Sequence, residues 1–391
     1  IALGAAPAGF AQSTAEGTVQ ERADAGDGFA AYDFATSLLK SGATDAEVAT
    51  GRSNLDRAVE LGVPDAMIRL GDLLRDGSFG VEANGAMAEA QYLAALELGH
   101  TGATMRLAEL YRNGASGLAR DVARAAALLE TAIEGDNSTA MRTLASMLVD
   151  GSLPEDEARA RALFERAVDA GDVGAAIVFA RELAKGRFEG AGALEAFELV
   201  RPLAASGNDT AKRVVADLLR NGGTGLEKAP AAALENYKEL AAGGDVWAAR
   251  AAADMMIRGE VGTADFDGGV ALLTPFADGG DAGVLAAIGN YYAQAEYGHQ
   301  SAELAASYYE RAMAGGDTGA VMRLADMYRN GAPGLEKDTA RAVALLETGA
   351  ENGNSTAMRY DHAGRLVRET RAVNAVLWTG ETVVHTIDKR H

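Results

Sequence analysis

The chain has 391 residues, of which 47 are glycine and 7 are proline, and it contains no cysteine. Without cysteine, disulfide-stapled modules, cysteine-ligated zinc or iron–sulfur sites and thiol enzymes are excluded. Lysine and arginine number 36 against 56 aspartate and glutamate residues, which gives a net charge of −20. So acidic a surface disfavours nucleic acid as a partner. Because 48% of the chain is hydrophobic and only 6% is aromatic, the composition favours closely packed helices with small side chains.

The N-terminal segment has the composition of an export signal. Residues 1–11 are apolar and uncharged, and Gly9 and Ala11 occupy the −3 and −1 positions of a cleavage site before Gln12. We interpret residues 1–11 as the remnant of a signal peptide and predict an exported, periplasmic protein. A disordered terminus rich in alanine and glycine is the alternative interpretation. Residues 12–25 are predicted to form a polar linker, and no later stretch reaches the roughly 18 apolar residues of a membrane span.

A glycine recurs every 36 or 37 residues along most of the chain. The recurring glycines are Gly26, Gly62, Gly99, Gly135, Gly171, Gly207, Gly244, Gly280, Gly316 and Gly353. Ten positions at so regular a spacing indicate a repeat protein, in which each repeat is one supersecondary unit.

Each repeat contains the pattern of two helices. Apolar residues follow most of the recurring glycines at steps of four, as in Ala103, Leu107 and Tyr111, and such a spacing places them on one face of a helix. A second glycine, such as Gly114, closes this first helix. A second helix then opens at an acidic cap such as Asp121. A hairpin of two helices cannot bury its own apolar face, so we expect the hairpins to stack into an α-solenoid.

Two of the repeats are near copies of each other. Residues 99–142 and 316–359 are identical at 31 of 44 aligned positions. This identity indicates that a block of several repeats was duplicated. In a protein built of duplicated repeats, every repeat is constrained by packing on its neighbours. A catalytic site, in contrast, normally occurs once in a chain and is asymmetric.

The repeats resemble the Sel1-like family, which is related to the tetratricopeptide repeats. The resemblance is clearest in the runs Gly-Ala-Thr-Met-Arg-Leu-Ala-Glu-Leu-Tyr-Arg-Asn-Gly at 102–114 and Gly-Ala-Val-Met-Arg-Leu-Ala-Asp-Met-Tyr-Arg-Asn-Gly at 319–331. It implies an all-α, right-handed α-solenoid of about nine helix–turn–helix repeats over residues 26–360. It also implies an adaptor scaffold for signalling, secretion or envelope assembly. Two repeats depart from the pattern, because Ala229 replaces the acidic cap and the repeat from Gly280 lacks the usual loop.

The C-terminal segment does not continue the repeat. Residues 361–391 place Asp361 and Arg365 at positions that are apolar in the other repeats. We therefore predict a capping element or an irregular tail there, with a short helix around residues 365–376 and a strand over residues 382–387.

No pattern typical of a catalytic, cofactor-binding or metal-binding site is present. The five histidines form none of the spacings of a helical zinc site, and the chain has neither a phosphate-binding loop nor a nucleophile elbow. We therefore predict a protein that is not an enzyme and that binds no cofactor or metal. The competing hypothesis is an enzyme with a cleft between the repeats and the tail, in which His362 or His385 meets a carboxylate.

A basic residue stands just before the closing glycine of most first helices, as in Lys185 and Arg258. A cation at this position stabilises the end of a helix by about 0.3 to 1 kcal/mol. Stacking would also align these cations into a ladder that binds an acidic protein segment or an anionic polysaccharide. The predicted partner-binding residues are Arg75, Arg106, Tyr111, Arg112, Arg220, Arg323, Tyr328 and Arg329.

The sequence as a whole therefore predicts a protein–protein interaction scaffold of the bacterial cell envelope that has no catalytic activity. Its setting is predicted to be signalling or exopolysaccharide secretion, and its partner is a protein that the sequence does not name. Binding of an anionic polysaccharide by the basic ladder and an enzyme with a cleft beside the tail are the alternative hypotheses.

Overall fold

The computed structural model describes residues 17–351, 359–360 and 366–367. In this part of the chain nineteen α-helices account for nearly all regular structure. The helices are α1 (Val19–Asp24), α2 (Gly28–Leu38), α3 (Asp45–Glu60), α4 (Pro64–Asp76), α5 (Gly85–Glu97), α6 (Gly102–Asn113), α7 (Val122–Glu134), α8 (Ser138–Val149), α9 (Glu157–Asp169), α10 (Val173–Ala184), α11 (Ala193–Ala205), α12 (Asp209–Asn221), α13 (Pro230–Ala242), α14 (Val246–Ile257), α15 (Phe266–Asp278), α16 (Ala282–Ala293), α17 (Ala302–Ala314), α18 (Thr318–Asn330) and α19 (Thr339–Glu351). None of them is long and apolar enough to cross a membrane.

The chain divides into two compact units, residues 1–191 (unit 1) and residues 192–391 (unit 2). In unit 1 the hairpins are α2–α3, α4–α5, α6–α7 and α8–α9, and each packs on the next. In unit 2 the hairpins are α12–α13, α14–α15, α16–α17 and α18–α19, again packed in chain order. The predicted all-α stack of hairpins is thereby confirmed. Helices α10 and α11, which would form a ninth hairpin in sequence order, belong to different units.

The apolar stripe of the first helices forms the core, as the spacing predicts. In α6, Ala103 and Leu107 are completely buried, and Tyr111 is 6% exposed. The second helices open as predicted as well, because the Asp121 carboxylate accepts a hydrogen bond from the Arg124 backbone amide at 2.9 Å. At α13 the acidic cap is missing, and Pro230 begins the helix instead, where its fixed φ and lack of an amide hydrogen suit the first turn.

One junction shifts the repeat by a residue. Most of the recurring glycines have positive φ, but Gly135 does not, and Asp136 takes the left-handed conformation there with φ of 54°. Asp136 is followed by Asn137, whose side chain accepts a hydrogen bond from the Ala140 amide and caps α8. The glycine spacing alone therefore misplaces the start of α8 by one residue, because a short polar side chain tolerates the left-handed region.

Both ends of the repeat region differ from the predictions. Residues 19–24, which lie in the predicted polar linker, form helix α1 and bury Ala23 against α2. The helix starts at a capping box in which Thr18 and Glu21 each bond the other's backbone amide. Thr18 and Glu21 already have the spacing of a capping box in the sequence. The helix that follows is only six residues long, which is too short to show a helical period.

In the C-terminal segment, the strands β1 (Arg359–Tyr360) and β2 (Leu366–Val367) pair antiparallel. The predicted helix around residues 365–376 is therefore wrong at 366–367, since a short apolar run suits a strand as well as a helix. Residues 1–11, the rest of that predicted helix, the predicted strand at 382–387, and His362 and His385 lie outside the described residues.

Candidate partner-binding groove

Unit 1 contains a groove of about 530 Å³ that is lined mainly by the first helices of successive hairpins. Its lining residues come from α2, α4, α6 and α8, with one leucine from α7 and His100 from the turn before α6. Tyr32, Ile68 and Met105 provide apolar surface. The ionisable side chains of the lining, other than Tyr32, are Asp65, Arg69, Asp72, His100, Arg106, Glu109 and Arg112.

The repeat places the lining residues in register. Arg69 on α4, Arg106 on α6 and Thr143 on α8 are each 37 residues apart, so the three side chains occupy the same position on neighbouring helices. Because the first helices of a hairpin stack lie side by side, one position of the repeat produces a row across the groove. The groove is thus a direct product of the repeat, and its chemistry changes wherever one repeat differs from the next.

A tyrosine from a second helix reaches the edge of this groove. The Tyr92 side chain of α5 is completely buried, and its hydroxyl donates a hydrogen bond to Asp72 Oδ1 at 2.8 Å. The ring passes over Gly71, where a Cβ atom would lie only 2.5 Å from Tyr92 Cε1. Burial, together with the bond to Asp72, raises the pKa of the Tyr92 phenol well above its usual range. Tyr92 therefore remains a neutral donor that fixes the Asp72 carboxylate.

Asp72 belongs to a network of ion pairs along α4 and α6. Its carboxylate lies 3.6 Å from a guanidinium nitrogen of Arg75 and 3.4 Å from Arg106 Nε. Glu109 contacts the same two arginines at 3.4 Å and 3.7 Å. Arg75 also bonds Asp76 at 2.7 Å. The carboxylates on this side of the groove are therefore neutralised within the protein.

The cations of the predicted ladder mostly have carboxylate partners. Lys185 lies 2.6 Å from Glu182, and Arg329 lies 3.0 Å from Asp326. The remaining pairs are Arg220 with Asp254 at 2.8 Å and with Glu260 at 2.5 Å, and Arg258 with Asp254 at 2.6 Å. Although burial acts to raise the pKa of Asp254, its hydrogen bonds to Arg258 and Arg220 outweigh burial and lower it.

The sequence contained a signal for this pairing that the prediction did not use. In every one of these first helices an acidic residue stands three or four positions before the closing cation, which is the spacing of a helical ion pair. The residues with this spacing are Asp72 and Arg75, Glu109 and Arg112, Glu182 and Lys185, Asp217 and Arg220, Asp254 and Arg258, and Asp326 and Arg329. Glu109 and Arg112 do not form an ion pair in the structure, because Glu109 contacts Arg75 and Arg106. The basic row is therefore accompanied by an acidic row, which leaves little free positive charge for a polysaccharide.

The two predicted tyrosines lie in the core, where little of either ring is accessible to a partner. Tyr111 is 6% exposed, its hydroxyl donates to Glu89 of α5, and the Arg124 guanidinium of α7 lies 5.3 Å from its ring centroid. Tyr328 is also 6% exposed, with Arg341 of α19 at 4.4 Å from its ring. Both tyrosines thus join adjacent helices within their units.

The predicted residues fall into three groups. Arg106 and Arg112 line the unit 1 groove, and Arg75 pairs with the carboxylates at its edge. Tyr111 and Tyr328 are buried. Arg220, Arg323 and Arg329 belong to unit 2. Their role in partner binding stays a prediction. The groove residues that the prediction missed are Asp65, Arg69, Asp72, His100 and Glu109.

Groups of three or more metal-ligating side chains are absent from the part of the chain that the structure describes. His100, the one histidine in the groove, forms a contact of 3.1 Å between its Nε2 and Asp65 Oδ1.

A protein-family model, described as the Sel1 repeat, matches residues 64–100, 101–137, 138–172, 214–245 and 319–354. The chain carries Sel1 repeats. Three of the matched Sel1 segments coincide with the hairpins α4–α5, α6–α7 and α8–α9, which build most of the groove. Sel1-repeat proteins generally act as scaffolds for protein–protein interaction and are typically not catalytic.

Solved Sel1-type structures are similar to this chain. A protective antigen from uropathogenic Escherichia coli, described as displaying an SLR fold, is 22% identical and has a TM-score of 0.49, over 87% of this chain and 72% of the antigen. A Sel1 repeat protein from Oxalobacter formigenes is 21% identical and has a TM-score of 0.45, over 87% of this chain and 88% of that protein. No curated protein matches the sequence significantly.

Proposed function

We propose that this chain is a protein–protein interaction scaffold without catalytic activity, and that the unit 1 groove binds a segment of its partner. The observation that carries the proposal is the groove of about 530 Å³ on the first helices of consecutive Sel1 hairpins. It combines apolar side chains with charged groups at its edge, which is the composition of a site for a polypeptide segment. The groove is built from helices that pack on one another, so a partner would meet a surface that is already ordered.

Blocking the groove tests this proposal. Thr143 lines the groove, and its hydroxyl donates to the Thr139 carbonyl within α8. We expect Thr143→Trp to weaken binding of the partner at least tenfold, because the indole fills space that the partner needs. The measurement is capture of partners by the purified protein, followed by titration of the captured partner.

The chain offers a matched control for this substitution. Thr131 on α7 is exposed, lies outside the groove, and makes the same kind of bond to the carbonyl four residues before it, at 3.1 Å. Thr131→Trp should leave binding unchanged. If both tryptophan variants bind the partner like the original protein, the groove is not the binding site and the proposal is wrong.

We also propose that the scaffold works in the bacterial cell envelope, in signalling or exopolysaccharide secretion. The support is the apolar, uncharged stretch of residues 1–11 with Gly9 and Ala11 before Gln12. The protein expressed from its natural gene is expected in the periplasmic extract, with Gln12 as its first residue by mass spectrometry. A cytosolic protein that retains residues 1–11 would contradict the location while leaving the scaffold role intact.

A further inference from the structure

Two ion pairs between the ends of neighbouring first helices share one spacing. Arg75 of α4 reaches Glu109 of α6 at 3.4 Å, and the two residues are 34 apart in sequence. In unit 2, Arg220 of α12 reaches Asp254 of α14 at 2.8 Å, again 34 residues later. At these two junctions the cation near the end of one first helix is thus held by a carboxylate of the next.

Arg112 breaks this pattern. The residue 34 positions later is Ser146 of α8, which has no carboxylate and donates its hydroxyl to the Arg142 carbonyl at 2.9 Å. Glu109, three residues before Arg112, pairs with Arg75 and Arg106 instead. Within the described residues, Arg112 makes no ion pair, and its Nε donates only a long bond of 3.4 Å to Asn113. The half-buried guanidinium of Arg112 lines the groove.

The surroundings of Arg112 select the charge of its partner. The acidic groups of the groove already have basic partners, since Asp72 and Glu109 pair with arginines and Asp65 contacts His100. Among the residues that the structure describes, two groove guanidinium groups have no carboxylate partner: Arg69 donates to the Leu39 carbonyl, and Arg112 has only its long bond to Asn113. The planar donors of Arg112 match a carboxylate. A negatively charged group that enters the groove would therefore pair with Arg112, for which Ser146 provides no carboxylate.

We propose that Arg112 binds an aspartate or glutamate side chain of the partner segment, in the place that Glu109 takes beside Arg75 and Asp254 takes beside Arg220. Groove residues lie on both sides of α6, on α4 and on α8, so the segment continues past Arg112 in both directions. The carboxylate therefore comes from a side chain inside the segment and not from its terminus. This inference rests on the proposed function and names the specificity of the same groove.

Two variants remove the free cation in opposite ways. Arg112→Gln removes the charge, and Ser146→Glu supplies the missing carboxylate from within the protein, as Glu109 does for Arg75. Ser307→Glu is the matched control, because Ser307 is exposed on α17 in unit 2 and receives the same charge away from the groove. Urea unfolding of each variant checks that it remains folded.

The probe is an array of synthetic 12-residue peptides. The peptides that bind best are made again with each acidic residue changed to its amide, and their affinities are measured by fluorescence polarisation. We expect one such change to weaken binding to the original protein and to Ser307→Glu about tenfold or more. Arg112→Gln and Ser146→Glu should bind the acidic and amide peptides equally.

Three results would overturn the inference. The first is an acid-to-amide ratio that stays at about tenfold in both Arg112→Gln and Ser146→Glu. The second is selected peptides that need no acidic residue. The third is a loss on amidation of the peptide C-terminus alone, which would assign Arg112 to a terminal carboxylate.

If Thr143→Trp abolishes peptide binding in any of these cases, the proposed function stands. If Thr143→Trp leaves all peptide binding unchanged, the proposed function is itself wrong.

Discussion

Replacing Tyr92 with alanine is expected to lower the free energy of unfolding of unit 1 by about 3 to 5 kcal/mol, the usual cost of removing a buried aromatic ring. The ring is completely buried between α4 and α5, and its hydroxyl holds Asp72. The loss should appear in urea unfolding and as faster hydrogen exchange in these two helices. At the edge of the groove, Asp72 would lose its hydroxyl donor and keep only its contacts with Arg75 and Arg106.

The phenylalanine variant separates the ring from the hydroxyl. Tyr92→Phe keeps the packing and removes only the donor to Asp72, which retains its contacts with Arg75 and Arg106. We expect a cost of about 1 kcal/mol, as for one hydrogen bond to a carboxylate that keeps other partners. If Tyr92→Phe costs as much as Tyr92→Ala, the hydroxyl and not the packing of the ring stabilises this hairpin.

Gly71→Ala is expected to lower the free energy of unfolding by about 2 kcal/mol, although alanine is normally the better helix former. A Cβ atom at Gly71 would lie 2.5 Å from Tyr92 Cε1 and 2.8 Å from Cδ1, and both belong to a fully buried ring that has no room to move. Urea unfolding measures the change.

A second glycine in a helix is the control for this substitution. A Cβ atom at Gly283 in α16 would meet nothing closer than Asp281 Oδ1 at 3.4 Å and Arg250 Nη1 at 3.7 Å. Gly283→Ala should therefore not reduce stability. In the background of Tyr92→Leu, Gly71→Ala should cost much less than it does alone, since the ring is gone. Equal effects of Gly71→Ala in both backgrounds would contradict the close contact.

In unit 2 a buried tyrosine also packs over a glycine of the preceding helix, but its hydroxyl donates to a different acceptor. Tyr309 of α17 is 2% exposed and donates to Asn290 Oδ1 at 2.8 Å, and it passes Gly289 as Tyr92 passes Gly71. Burial raises the pKa of Tyr309 to about 12. Because Asn290 is neutral where the α4–α5 hairpin has Asp72, these two hairpins share their packing but differ in the charge at the end of the tyrosine. Unit 2 also has an acidic acceptor in another hairpin, since Tyr237 donates to Asp217 at 2.5 Å.

Although the chain as a whole is acidic, the groove contains as many arginines as carboxylates, and several of these side chains form ion pairs with one another. Each exposed pair contributes little to stability, typically between 0 and 1 kcal/mol. Its effect on binding is larger, because a cation that is already paired has less to offer a ligand. In unit 1 this leaves Arg112 as the groove arginine without either a carboxylate or a backbone carbonyl acceptor, since Arg69 donates to the Leu39 carbonyl and Arg106 pairs with Asp72.

The helices and their order were predictable because they depend on local spacing. The apolar steps of four in α6 and the acidic cap at Asp121 act within one hairpin, and both are as expected. The errors lie where the local signal is weak. Helix α1 is only six residues long, and Asp136 replaces a glycine in the left-handed conformation.

The sequence by itself determined that this chain is an all-helical repeat protein without cysteine chemistry, because composition and periodicity are properties of the chain alone. It also placed Arg106 and Arg112 at positions that the repeat brings to one surface. Only the tertiary structure decided which charges remain available. Whether Arg75 or Arg112 is free depends on the residue that the next helix presents 34 positions later, and a contact between helices is a matter of packing that no single helix encodes.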